Sequence, residues 1–271
     1  GDSPPLGIAF LGAVTESRGH DTRLIDLRAE AMTKFEFAQY LRDFRPDVVG
    51  LYNTLYSIQE TVENANAVKE ALPNCVTICG GPNIGIYPRE TMYHKSIDYG
   101  IMGEAEDSIL MFLEALERKE VIDDKIPGMI WRERNANGVP GEKIRVADKV
   151  GFLDDLDKYP APARHLLHGR YVYFGAHAEP YTSMISSRGC PYDCNFCSRT
   201  LSREKIRYRS VANVVGEFEE MVRQGYREVN LFDDIFTIKR NRVIEICDAL
   251  TANKVKIAWS VRARIDTVDE E

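Results

Sequence analysis

Three cysteines, Cys190, Cys194 and Cys197, stand in the run Cys-Pro-Tyr-Asp-Cys-Asn-Phe-Cys, and this CxxxCxxC spacing constrains the chain more than any other feature. One short loop offers three thiolates together. Three thiolates suit three corners of a 4Fe–4S cluster and leave the fourth iron without a protein ligand, an open position where a small molecule can bind and be reduced. A tetrahedral zinc site needs a fourth Cys or His, usually as part of a second close pair. The next cysteine is Cys247, beyond a helical stretch, so no matched pair is available. A disulfide framework suits a small secreted chain, whereas six cysteines in 271 residues read as reduced, cytoplasmic usage.

The surroundings of this loop alternate between strand and helix. Residues 181–187 read as a strand entering the loop. Residues 211–224 carry Val211, Val214, Val215, Phe218, Met221 and Val222 at helical spacing and close on Gly225. Residues 228–232 form a second expected strand, and 240–252 a second helix with Val243, Ile244, Ile246, Cys247 and Leu250 inward. Residues 256–261 are a third strand. Such alternation predicts a parallel sheet with its site at the strand C-terminal ends. Asp233 and Asp234 follow the second strand, and Arg262 and Arg264 end the third. Carboxylates there can accept hydrogen bonds from an ammonium or a ribose hydroxyl, or cap a helix. Guanidinium forks suit a carboxylate, or simply face solvent.

The first half alternates separately. Helices are expected at residues 6–17, 34–44, 58–72 and 105–119, and strands at 22–27, 47–52, 76–79, 99–102 and 129–132, a doubly wound α/β pattern. A first strand is expected upstream of residue 6. Prolines 140, 160, 162 and 180 with the acidic residues of 154–157 mark a linker. The expected division is therefore 1–138, a linker at 139–180, and 181–271. The apolar fraction of 44% supports sizeable cores, and no apolar run approaches the length that crosses a bilayer. A net charge of −7 argues against a general nucleic-acid surface, and the basic residues between Arg199 and Arg209 read as a solvated stretch.

The loop Ser-Ser-Arg-Gly-Cys-Pro-Tyr-Asp-Cys-Asn-Phe-Cys-Ser, residues 186–198, resembles the cluster loop of radical S-adenosylmethionine (SAM) enzymes. The first half resembles the cobalamin-binding domain that precedes the barrel in one large subgroup. Pro4-Pro5-Leu6-Gly7, Gly19-His20-Asp21, the run 46–51, Cys79-Gly80-Gly81-Pro82 and Gly103-Glu104-Ala105-Glu106 carry that resemblance. It implies an N-terminal Rossmann-like domain of cobalamin-binding type followed by the first part of a radical SAM (βα) partial TIM barrel. It implies cluster ligation and catalysis at Cys190, Cys194 and Cys197, and cofactor contacts at Phe196, Asp233, Asp234, Arg262 and Arg264. For the corrinoid it implies Asn53, Thr54, Gly80, Gly81 and Glu104.

The implied chemistry is reductive cleavage of SAM, hydrogen abstraction by the adenosyl radical, and methylation of an unactivated carbon from methylcobalamin. The implied partners are a small, natural-product-like substrate and an electron donor such as flavodoxin or ferredoxin. Cyclisation or rearrangement by the same parts, a methylthiotransferase, and a non-catalytic corrinoid or iron–sulfur sensor are the alternatives. Methylthiotransferases normally supply three further cysteines, and Cys75 and Cys79 lack a third partner. The Asp-x-His-x-x-Gly signature of cobalt ligation is absent, so His20 reads as a turn residue, and His165 and His168 as packing or surface residues. About six βα units make such a barrel and three strands are legible, so the chain is expected to be cut inside it, with an unpaired last strand and inefficient turnover.

Overall fold

The computed structural model describes residues 3–135, 140–171, 177–197 and 205–269. They divide into two compact units: Val14–Arg23 with Glu30–Leu153, and Gly1–Ala13 with Leu24–Ala29 and Asp154–Glu271. Helix α1 (Leu6–Glu16) contributes residues to both.

The N-terminal unit runs α2 (Lys34–Phe44), β1 (Val48–Tyr52), α3 (Ile58–Ala71), β2 (Val76–Gly80), α4 (Pro82–Ile86), α5 (Pro88–Thr91), β3 (Tyr99–Ile101), α6 (Glu106–Glu117), β4 (Met129–Arg134) and β5 (Pro140–Val146). Its sheet has the order β1-β2-β3-β4-β5, parallel through β3 and antiparallel thereafter. Helix α2 begins where a capping box demands it. Thr33 Oγ1 accepts from Glu36 N–H at 3.2 Å, and Thr33 N–H donates back to Glu36 at 2.8 Å. The core gathers Ala65, Cys79, Ile84, Met92, Ile97, Met102, Ile130 and Ile144.

The C-terminal unit runs β6 (Tyr181–Met184), β7 (Ser187–Arg188), β8 (Arg207–Tyr208), α7 (Val211–Arg223), β9 (Glu228–Leu231), α8 (Arg240–Ala252) and β10 (Ala258–Val261). Strands β6, β9 and β10 form a parallel sheet in the order β10-β9-β6, and β7 and β8 form an antiparallel ribbon. Val229 and Leu231 pack into a core with Met184, Val214, Phe218, Met221 and Ile246. Strand alternation sends Glu228 and Asn230 to the opposite face. Full burial of each large apolar side chain contributes about 1.5–3 kcal/mol, so this ten-residue cluster is what seats the two helices on the sheet. Trp259 adds edge-on contacts to Phe218 and Phe236, with centroids 5.9 and 5.8 Å away.

Several expectations are corrected. Residues 22–27 form no strand, because no described strand offers them a ladder. The expected linker holds β5, paired with β4, so the N-terminal unit extends to Leu153 rather than 138. Beyond it, Arg164 is buried in the C-terminal unit, donating to Thr182 Oγ1 at 3.1 Å, Ser183 O at 2.6 Å and Glu217 at 2.5 Å. The expected strand 181–187 stops at Met184 before the β7–β8 ribbon starts. Ile244 and Val222 are exposed. Arg207 and Arg209 are buried rather than solvated, Arg209 pairing with Glu217; the part of the basic run at 198–204 lies outside the described residues. His165 and His168 are exposed, in keeping with their reading as surface residues. Among the described residues no helix is long and apolar enough to cross a membrane.

Candidate active site

The cysteine loop leaves the β7–β8 ribbon just beyond the C-terminal end of β6. Gly189, at φ +102°, makes that exit: a Cβ there would lie 2.8 Å from the Lys205 carbonyl oxygen, so only glycine permits the turn and the close approach. Cys190 and Cys194 are partly exposed and Cys197 is exposed, and Cys197 N–H donates to Cys194 O at 3.0 Å. No three Cys, His, Asp or Glu side chains among the described residues converge on one ion-sized point. A 4Fe–4S cluster asks for something different, one thiolate per iron at separate corners. Three thiolates from one exposed loop fit that demand.

The acidic pair after β9 faces this loop. Asp233 is 1% exposed and accepts from Ser186 N–H, Ser186 Oγ and Ser187 Oγ, each at 2.6 Å. Arg242, buried on α8, supports the same turn by donating to Ser186 Oγ at 3.2 Å and Ser186 O at 3.0 Å. Asp233 therefore fixes the strand-to-loop turn, with its oxygens engaged by the protein. Asp234 is exposed, and the Gly189 backbone N–H donates to it. Its pKa is raised by desolvation among the loops and by the Asp233 carboxylate, with Arg262 and the Gly189 N–H opposing.

The two arginines after β10 have different surroundings. Arg262 is exposed and lays its guanidinium over the Phe232 ring, 4.2 Å from the centroid. Arg264 lies over Tyr192, at 3.9 Å, and Nη1 donates to Cys194 Sγ at 3.4 Å. Asp266 accepts from Arg264 Nε and Nη2 at 2.9 and 2.8 Å; this pairing raises the arginine's pKa and lowers that of Asp266. Phe196 is almost fully exposed.

In the N-terminal unit, Asn53, Thr54, Gly80 and Gly81 come together at the C-terminal ends of β1 and β2. Asn53 N–H donates to Gly80 O at 2.8 Å, and Asn83 N–H to Asn53 O at 3.2 Å. Gly81 has φ +104°, and a Cβ there would meet Asn53 O at 2.6 Å. Thr54 Oγ1 is 2.9 Å from Ser57 Oγ. The fully buried Asn53 amide has only the Cys79 thiol beside it as a side-chain partner, and Asn83 Oδ1 has no hydrogen-bond partner among the described residues. Orphaned buried polar atoms call for a ligand that supplies the missing bonds. Exposed Tyr52, Leu55 and Tyr56 add apolar surface to the same strand end. A broad corrinoid with amide side groups fits this donor set and rim. Glu104 is elsewhere engaged, accepting from Leu153 N–H at 2.7 Å to fasten the chain after β5.

Sequence reasoning included Ser186, Ser187 and Tyr192 in the cluster loop without giving them roles, and it missed Arg242 and Asn83. Arg242, a lone cation on the inward face of an amphipathic helix, was the signal that could have located the buried turn.

Two family models match in the same order as the units: the B12 binding domain over residues 1–112 and the Radical SAM superfamily over residues 184–271. The chain belongs to the radical SAM superfamily, in the form that carries a B12 binding domain. It is 30% identical over 268 residues to the hopanoid C-3 methylase of Methylococcus capsulatus, covering 97% of this chain and 48% of that protein. It is 28% identical over 271 residues to an uncharacterized methyltransferase of Pyrococcus horikoshii, covering 99% and 57%. The solved cobalamin-dependent SAM radical enzyme OxsB, with aqua-cobalamin and SAM bound, shares the fold at TM-score 0.79 and 19% identity, over 99% of this chain and 37% of that one. The chain thus spans about half the length of the curated relatives it matches.

Proposed function

We propose that this chain is part of a cobalamin-dependent radical SAM enzyme that methylates an unactivated carbon of a small, natural-product-like substrate in the cytoplasm, with electrons from a flavodoxin- or ferredoxin-type donor. The observation that carries this reading is the three-cysteine loop at the C-terminal end of a parallel sheet, anchored through Asp233, Asp234 and Arg264, in one chain with a B12 binding domain. When bound, a 4Fe–4S cluster, SAM and cobalamin supply reductive cleavage and a methyl donor, chemistry that side chains lack.

The protein's part is to hold and orient. Cys190, Cys194 and Cys197 each ligate one iron. The exposed Asp234 accepts from the SAM ammonium, whose charge offsets the desolvation of the carboxylate. Arg262, free of ion pairs among the described residues, forks onto the SAM carboxylate. Phe196 packs beside the cluster, and Asn53, Thr54, Gly80 and Gly81 line the corrinoid.

The test is anaerobic reconstitution with iron, sulfide and cobalamin, followed by SAM carrying a deuterated methyl group. Retained corrinoid, cluster-dependent 5′-deoxyadenosine and label in the acceptor support the reading. Deoxyadenosine and corrinoid with no label transferred would move the assignment to cyclisation or rearrangement. SAM cleavage without corrinoid retention would remove the methyl-transfer argument.

A further inference from the structure

Arg264 uses its guanidinium on the protein itself. One face lies over Tyr192, which stands between the first and second cysteines; one N–H reaches Cys194 Sγ; the remaining fork is filled by Asp266. A guanidinium committed in this way has no free fork for a ligand carboxylate. Arg262, two residues earlier, differs: its guanidinium rests on Phe232 and makes no hydrogen bond or ion pair among the described residues. The strand end after β10 thus presents two cations in two environments.

Resting on the reading of residues 190–197 as a cluster loop, we propose that Arg264 is a positioning residue of the iron–sulfur centre. It holds Cys194 and Tyr192 in place and sets the cluster's reduction potential from outside the coordination shell, while SAM binding falls to Arg262. Reduction adds one electron to a cluster ligated by thiolates. A cationic N–H donor on a ligating sulfur stabilises that added charge and raises the potential, since hydrogen bonds to the sulfurs and net charge are the protein's means of tuning such centres. Asp266 fixes the guanidinium's direction and offsets part of its charge. The expected order of potentials is Arg264 at or above Arg264→Lys, then Arg264→Gln, then Arg264→Met, which lacks both charge and donor.

The experiment uses the anaerobically reconstituted protein and reads two quantities. The first is the midpoint potential of the SAM-free cluster, by redox titration followed by EPR. The second is SAM affinity. Arg264→Met should move the potential to a more negative value with SAM affinity retained, and Arg264→Lys should restore most of the shift. Arg262→Met should leave the SAM-free potential in place and weaken SAM roughly 10- to 100-fold, the equivalent of one lost charged hydrogen-bonding group. An unchanged potential in Arg264→Met, or weakened SAM binding confined to the Arg264 variants, would overturn the assignment. If Arg264→Met takes up no iron, the comparison of Lys with Gln at position 264 decides: equal potentials contradict the proposal. Iron content of the unsubstituted protein reports separately on the cluster reading, because a protein that loads no 4Fe–4S cluster fails there before any potential is measured.

Discussion

Replacing Asp233 with alanine removes the acceptor of three hydrogen bonds, each 2.6 Å long, from a site that is 1% exposed. An orphaned buried donor costs about 1–3 kcal/mol. The Ser186 N–H is fixed by the backbone and cannot turn away, whereas the two serine hydroxyls can rotate toward other acceptors, which lowers their share. Arg242, bonded to the same Ser186, also loses its neighbouring carboxylate. The sum falls at about 3–5 kcal/mol, in the range for breaking a buried charged network. With a urea slope of about 2 kcal/mol per molar, the unfolding midpoint of this unit should fall by roughly 1.5–2.5 M. The chain has two tryptophans, and Trp259 sits against the C-terminal core between Phe218 and Phe236. A Trp131→Phe background therefore lets Trp259 emission report that unit alone. Asp234→Ala, which loses one backbone donor from an exposed side chain, should cost about 1 kcal/mol or less. A midpoint for Asp233→Ala equal to that of Asp234→Ala would refute the turn-fixing role.

Three further outcomes follow from the geometry. Gly81→Ala places a Cβ 2.6 Å from Asn53 O at φ +104°; it should destabilise the N-terminal unit by about 1–3 kcal/mol and weaken corrinoid retention, read by thermal melts and by absorbance after desalting. Burial pushes the Cys79 thiol up to about 12 from a reference of 9.0, so the folded state holds a proton that the unfolded state releases. Stability should be full below pH 9 and decline by up to ~4 kcal/mol as pH rises toward 12, and Cys79→Ala should flatten that decline in alkaline urea titrations. Glu217→Gln removes the carboxylate shared by the buried Arg164 and Arg209; an uncompensated pair of buried cations should cost about 3–5 kcal/mol, checked by the same Trp259 titration.

Local patterns carried much of the architecture. The helices α2 and α8 lie where periodicity places them, residues 34–44 and 240–252, because each has apolar residues at helical spacing and a clear stop. The three cysteines were legible because chemistry dictates their spacing. What stayed hidden depends on partners. Residues 22–27 have strand composition, but a strand forms only beside another strand. Strand β5 was obscured by prolines, although Lys143-Ile144-Arg145-Val146 alternates as a strand should, with Ile144 buried. The Asp pair was legible as a site, yet its division of labour was not. Nothing in a one-dimensional pattern says that Asp233 turns inward onto Ser186 and Ser187 while Asp234 stays exposed. Likewise the two arginines differ by two positions, and only the fold brings Arg264 onto Cys194.

The most direct test of the central claim is the metal content and EPR spectrum of the anaerobically reconstituted protein, reduced with and without SAM, beside its Cys190, Cys194, Cys197 triple alanine variant. The account predicts about four irons and four sulfides per chain, a reduced-cluster signal that changes when SAM is added, and loss of both in the variant. Zinc in place of iron, or a cluster that persists in the variant or ignores SAM, would contradict it.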